Sequence, residues 1–355
     1  MISTDVSRKK GKTAILLGVM ALLLSAGCVT TVKTNVLMPG KVDEAAKFKS
    51  VAVMPFDGPD GTAFTSVMES TLASVIIDDK QYFKIVDRGS LDKAMGEMKL
   101  SMTGVVDTNT AAQVGKMVGA KGIYTGLVTA STVNDSRYTD KRKKCSSYKT
   151  VTDSKGRKSD ECSSWYDSEV SCTKRTVSFA FTPKLVEVET SRLIFSNTYD
   201  SALESKGCAD ESKGLADGQV MKRQAQEEAV KKFRMDVAPY YTVMTFTLKD
   251  DASDIHQAAG KGKLKDGLKF AANNRMDRAC ELWSEAKAAD PNSITLLYNM
   301  GICAETQGKP EEALALYRQA DKMLSKPDDL INKALSRTND MVEKRKKLGQ
   351  QQVAK

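Results

Sequence analysis

Ser50-Val51-Ala52-Val53-Met54-Pro55-Phe56 opens the stretch, running to Thr132, whose reading decides the fold. The run is short, apolar and rich in β-branched residues, and Pro55 with Asp57-Gly58 stops it, which is how a buried strand is punctuated. From Phe64 to Ile77, Phe64, Val67, Met68, Thr71, Leu72 and Val75 recur at spacings of three and four, so a helix can cover that strand with one face. Phe83-Lys84-Ile85-Val86 reads as a second strand. Ser90 is expected to cap a helix over 91–100, and Thr108 or Asn109 to cap another ending at Val118-Gly119, where glycine permits a left-handed stop. Gly122 to Thr129 reads as a third strand. Strand, helix, strand, helix, helix, strand is the layer pattern of an α/β domain.

These residues resemble the CsgG-like lipoproteins of curli secretion. Val51 to Phe56 looks like that family's entry strand, and Phe83 to Arg88 like its second strand. Lys99-Leu100, Gly104-Val105-Val106-Asp107, Ala111-Ala112, Gly115-Lys116 and Val118-Gly119-Ala120 recur in the family's order before the strand at Gly122. The resemblance covers residues 50 to 133 well and 175 to 248 loosely. It implies a CsgG-like mixed-sheet domain and a place in the cell envelope, either in an oligomeric outer-membrane secretion channel or beside one. The fold also resembles the small lipoprotein activators of peptidoglycan synthases.

Outward from this core, residues 1–27 carry Arg8, Lys9, Lys10 and Lys12, an apolar run from Ala14 to Leu24, and small residues before Cys28, the pattern of a secretory signal. Leu24-Ser25-Ala26-Gly27-Cys28 resembles a bacterial lipobox, although Ser25 stands where Leu is commonest. The implied lipidation site is Cys28, with covalent diacylglycerol and N-acyl lipid and no other cofactor expected. Val29, in place of an Asp, implies an outer-membrane destination, lipid-anchored on the periplasmic face. Residues 28–49 are polar with Pro39-Gly40 and read as a tether. The chain carries a net charge of +9, which falls to +6 without the signal. That mild excess suits acidic envelope surfaces, and no nucleic-acid partner is expected.

The insertion 134–174 is polar and rich in Lys, Ser and Asp, and its composition cannot bury a core of its own. Lys141, Arg142, Lys143 and Lys144 are its candidate anionic contacts, with a solvated loop as the plainer reading. Cys145 and Cys162 lie nearly symmetric about the turn signal Asp153-Ser154-Lys155-Gly156, and Cys172 and Cys208 symmetric about Thr190. In an exported chain these four are disulfide candidates in those pairs, one of three possible connectivities. No metal site is expected, because none of these cysteines are spaced as Cys-x-x-Cys and the single histidine, His256, is far away. Lys141 to Lys149 offers no apolar row to lipid, which argues against a pore.

Gly218 to Asp236 reads as an amphipathic helix with Val220, Ala225, Ala229, Val230 and Phe233 toward the sheet, and Tyr240 to Leu248 as a last strand. The α/β domain thus spans 50–249, and 250–259 is a linker. Over 260–326 a period of 34 residues emerges: Gly267, Ala279, Trp283 and Ala286 return as Gly301, Ala313, Tyr317 and Ala320. This resembles two tetratricopeptide-like repeats, whose small residues let paired helices approach while the aromatic fills the space between them. Cys280 and Cys303 read as small apolar fillers on these helices, with a bond between them as the open alternative, and 327–355 as a capping helix and tail.

Little in the chain advertises chemistry. His256 lies in a linker, which removes Ser-His and Cys-His schemes, and adjacent carboxylates such as Asp78-Asp79 and Glu227-Glu228 diverge on any regular element. The expected function is a non-enzymatic envelope adaptor whose repeats bind an envelope or exported protein or peptide, with homo-oligomerisation as a further expectation. The alternative is a channel subunit, and weaker still an unrecognised hydrolase.

Overall fold

The computed structural model describes residues 30–99 and 106–353. The signal segment, Cys28 and the motif residues Leu100, Gly104 and Val105 lie outside the described residues. In chain order β1 (Thr31–Met38) and α1 (Asp43–Ala46) lead into β2 (Ser50–Val53), α2 (Gly61–Ala73), β3 (Ile76–Ile77), β4 (Lys80–Gln81), β5 (Lys84–Ile85), α3 (Arg88–Glu97) and α4 (Thr108–Met117). Two very long strands follow, β6 (Gly122–Thr152) and β7 (Lys158–Glu187), then β8 (Leu193–Ser196), β9 (Tyr199–Cys208), α5 (Gly218–Val237) and β10 (Tyr240–Thr247). The C-terminal helices are α6 (Ala258–Ala272), α7 (Met276–Ala289), α8 (Ile294–Thr306), α9 (Pro310–Lys322) and α10 (Asp329–Val353).

Strand β2 is apolar on both faces and is buried on both. Val51 and Val53 join Phe64 of α2 and Phe233 of α5 in one core, while Ala52 and Met54 join Leu91 of α3 and Ala112 of α4 in a second. A sheet sandwiched between helical layers follows from that alternation. Its order is β5-β2-β6-β7-β8, with β9 also on β7; β5, β2 and β6 run parallel and the remainder antiparallel.

Helix starts differ from the sequence reading by a few residues. Asp87, not Ser90, caps α3, its carboxylate accepting from the Ser90 N–H at 2.9 Å and hydroxyl at 2.6 Å. Asp107, rather than Thr108 or Asn109, caps α4, accepting from the N–H groups of Asn109 and Thr110 at 2.9 and 3.1 Å. An ionised carboxylate adds charge–dipole attraction to the hydrogen bond, which a hydroxyl lacks. Gly119 supplies the left-handed stop after α4 at φ +70°. On α5, Met221 takes the buried place expected of Val220, which is exposed.

Two larger departures matter for function. Residues 134–174 are not a loop: they continue the core strands β6 and β7 as a paired arm from Asn134 opposite Thr176 to Thr152 opposite Lys158, with β9 as a third strand at its base as far as Cys172. Residues 30–49 are not a free tether either. Strand β1 pairs antiparallel with β10 in register from Thr31 opposite Thr247 to Met38 opposite Tyr240, so β10 joins this ribbon instead of the central sheet. Among the described residues no helix is long and apolar enough to cross a membrane.

Candidate functional site

The arm is ordered by complementarity that composition alone conceals. Directly opposed residues of an antiparallel pair share a face, and the register sets Lys141 against Glu169, Lys143 against Asp167 and Lys149 against Glu161. On the other face the Arg142 guanidinium donates to Asp140, Asp210 and Glu211 at 3.0, 2.9 and 2.9 Å, and Lys144 reaches Asp210 at 3.2 Å. These contacts, first of all the hydrogen bond to Asp140, push the Arg142 pKa further up. The four candidate anionic contacts therefore each stand against a carboxylate of the chain itself. Asp210 and Glu211 lie just beyond β9, far off in sequence, and nothing local in the basic run signals them.

Cys145 is bonded to Cys162 across the distal arm, and Cys172 to Cys208 across directly opposed positions of β7 and β9. The Asp140 carboxylate lies beside the second pair, whose sulfurs are joined to each other and offer no thiolate to a soft metal ion. The turn is closed by Asp153, which accepts from the N–H groups of Lys155 and Arg157, both at 2.9 Å.

Sequence reasoning missed the aromatics of the distal arm. Trp165 stands opposite Cys145, Tyr166 opposite Lys144 and Tyr148 opposite Cys162, and they are 60%, 50% and 69% exposed. Once the segment is known to be a strand pair, the signal is three large aromatics in the mostly polar run 144–166. A groove of about 730 Å³ beside α1 and α4 mixes Lys47, Lys116, Lys121 and Arg192 with Glu44 and Glu187. These opposed charges do not converge on one ligand chemistry.

In the C-terminal helices the 34-residue period becomes a repeated contact. A Cβ on Gly267 would lie 2.2 Å from Trp283, and one on Gly301 would lie 2.3 Å from Tyr317, so each glycine admits the aromatic of the following helix. Ala279, Ala286, Ala313 and Ala320 are fully buried. Trp283 donates to the Leu264 carbonyl at 3.2 Å and Tyr317 to the Glu305 carboxylate at 2.6 Å. Cys280 and Cys303 are not mere fillers; they are bonded to each other and tie α7 to α8.

One face of the C-terminal helices is covered by the ribbon. Strand β1 packs on α6, α8 and α10, and Val32, Phe246 and Leu248 of the ribbon are buried among Leu296, Leu297 and Tyr298 of α8. Tyr298 donates to the Thr247 carbonyl at 2.9 Å, and Asn299 brackets Lys249, donating to its carbonyl at 2.8 Å and accepting from its N–H at 2.9 Å. Arg337 lies 4.9 Å over the Phe246 ring and donates to the buried Glu305 at 2.6 and 2.9 Å. Burial pushes the Tyr298 hydroxyl up to about 12, against the opposing pull of Arg337. At the far end of α10, Gln351 accepts from the Gly40 N–H at 2.9 Å and donates back to the Gly40 carbonyl at 3.1 Å. The expected linker is likewise held, with Ile255 fully buried and Asp254 accepting from Ser293 and Thr295. His256 is exposed, and its backbone N–H donates to Asp290.

Residues 47–233 match the family model described as curli production assembly/transport component CsgG. No curated protein sequence matches the chain. Among solved structures the chain is similar to the LpoB C-terminal domain from Salmonella enterica, at 13% identity over 44% of this chain and 83% of that one, with a TM-score of 0.25. It is similar to lipoprotein GNA1162 from Neisseria meningitidis, at 10% identity over 52% and 96%, TM-score 0.25. A PelC dodecamer from Paraburkholderia phytofirmans aligns at 12% identity over 59% and 99%, TM-score 0.23.

Proposed function

The chain belongs to the CsgG family of curli production assembly/transport components, and from that premise we propose that it is a non-enzymatic, lipid-anchored cell-envelope adaptor acting by protein–protein binding. Lipid on Cys28 holds it to the periplasmic face of the outer membrane, and the arm reaches toward an envelope or exported protein. The observation that supports this reading is the polarity of both arm faces, with charged or hydroxyl side chains along most of residues 134–171. A membrane-spanning strand needs about ten residues in which every second side chain is apolar and faces lipid, and each Lys or Arg near the bilayer midplane costs about 2–4 kcal/mol. Trp165, Tyr166 and Tyr148 instead suit a protein interface, where Trp and Tyr are the usual anchors.

A second reading, a subunit of a CsgG-type secretion channel, draws support from the length of the arm, whose strands stay paired far beyond the sheet. The same experiment separates the two. A photo-crosslinking residue placed at Trp165 in the full-length protein, expressed in cells, should capture protein. Capture of lipid acyl chains at that position, with no protein adduct, would overturn the adaptor and favour the channel.

A further inference from the structure

The chain treats its free strand edges unequally. The arm edge of β6 is long, but Arg137, Lys141, Lys143 and Lys149 recur along it. Charged side chains, prolines and bulges are the devices that keep an edge from pairing with another chain. Strand β10 has none of them: Tyr240-Tyr241-Thr242-Val243-Met244-Thr245-Phe246-Thr247 is uncharged, free of proline and unbroken in register against β1.

Position makes the contrast sharper. In the two-stranded ribbon β1 lies against helices α6, α8 and α10, and among the described residues no strand lies on the other side of β10. Among the described residues the backbone of Tyr240 to Phe246 has no hydrogen-bond partner besides β1. Tyr241 is 54% and Val243 62% exposed, so apolar side chains accompany the open backbone edge. The helices steady the ribbon through one face, but its β10 edge keeps a row of backbone groups that a further strand can pair.

We infer that the β10 edge is a pairing site for a second copy of this chain, β10 against β10 in antiparallel sense, making a four-stranded sheet β1-β10-β10-β1 across a two-fold axis. An edge built for a charged or patterned partner would carry complementary charge. This one carries none, and an uncharged strand meets its own copy without like-charge conflict. The antiparallel arrangement is isologous and closes at two, so an unguarded edge is used without open-ended growth.

The test is sedimentation of the detergent-extracted full-length protein over a range of concentrations, with Val243→Lys, Thr245→Lys and Val243→Cys variants. The native chain is expected to form a dimer. Either lysine, placed at an exposed position, should weaken dimerisation at least about tenfold, since it puts two like charges on one four-stranded sheet, while the thermal transition of the monomer stays put. Six cysteines are already paired, so the Val243→Cys thiol should give a covalent dimer on mild oxidation. A monomer at every concentration would overturn the inference, as would an oligomer whose mass neither lysine alters. The result is independent of what the arm captures, so the two proposals fail separately.

Discussion

The hydroxyl of Tyr298 on α8 donates to the backbone carbonyl of Thr247 on β10 at 2.9 Å, and through that bond the C-terminal helices hold the ribbon that begins at the N-terminal end of the described chain. The expected tether and the expected last strand of the α/β domain together close the face of the helical module. Sheet domain and helices are thereby joined through one ribbon, not strung on linkers.

Tyr298→Phe should lower stability to chemical denaturation by about 1 kcal/mol, because it leaves the Thr247 carbonyl without its partner. Arg337→Ala should cost more, about 3–5 kcal/mol, since it strands the Glu305 carboxylate in a buried site. A loss for Arg337→Ala no larger than for Tyr298→Phe would mean that Glu305 is reached by water.

Gly267→Ala and Gly301→Ala should each destabilise by about 1–3 kcal/mol, because the added methyl meets Trp283 or Tyr317 well inside van der Waals contact. Gly262→Ala, on α6 with open space around it, should be neutral or stabilise by up to about 1 kcal/mol through helix propensity. Equal effects at all three positions, read from denaturant midpoints, would contradict the repeated glycine–aromatic contact.

Replacing Cys145 and Cys162 by Ser removes a cross-link over a separation of 17 residues, worth about 3 kcal/mol in chain entropy. The distal arm lies outside the three hydrophobic cores, so the loss should be local. Trypsin cleavage at Lys149, Lys155 and Arg157 should quicken more than about tenfold while the global denaturation midpoint stays unchanged. A falling midpoint would show the arm coupled to the cores.

At the arm's base, hydrogen bonds from Arg175 hold the Asp135 carboxyl below its ordinary range, and the hydrogen bond from Lys174 does the same for Glu204. Both folded values are depressed, so these pairs contribute order that is fully present above the unfolded carboxylate range, about 3.9–4.3, and is lost as pH falls through the folded values. Amide exchange at the base of the arm, corrected for intrinsic rates, should be flat from pH 8 to 5 and rise only below about pH 4.

Much of the fold is legible in local pattern. Val51 to Phe56, the Phe64 to Leu72 stripe and the 34-residue return of Gly267 and Trp283 each reflect a short-range period that burial imposes. The arm was hidden because its order comes from cross-strand partners such as Lys141 with Glu169 and from the remote Asp210 and Glu211, while its composition reads as solvated. The ribbon was hidden for a similar reason. Val32 and Val36 alternate with polar residues over too short a run to signal a strand, and the burial of Val32 depends on helices more than 200 residues away. The aromatic surface at Trp165 and Tyr148 becomes readable only after that strand pairing is known.

The most direct test of the adaptor is the partition of residues 29–355, exported behind a cleavable signal that leaves no lipid, between soluble and membrane fractions after an alkaline wash. A soluble protein is expected, because in the proposed adaptor the lipid on Cys28 is the hold on the membrane and the arm is polar on both faces. An alkali-resistant, membrane-embedded form of the same chain would contradict it and make the arm a membrane-spanning hairpin.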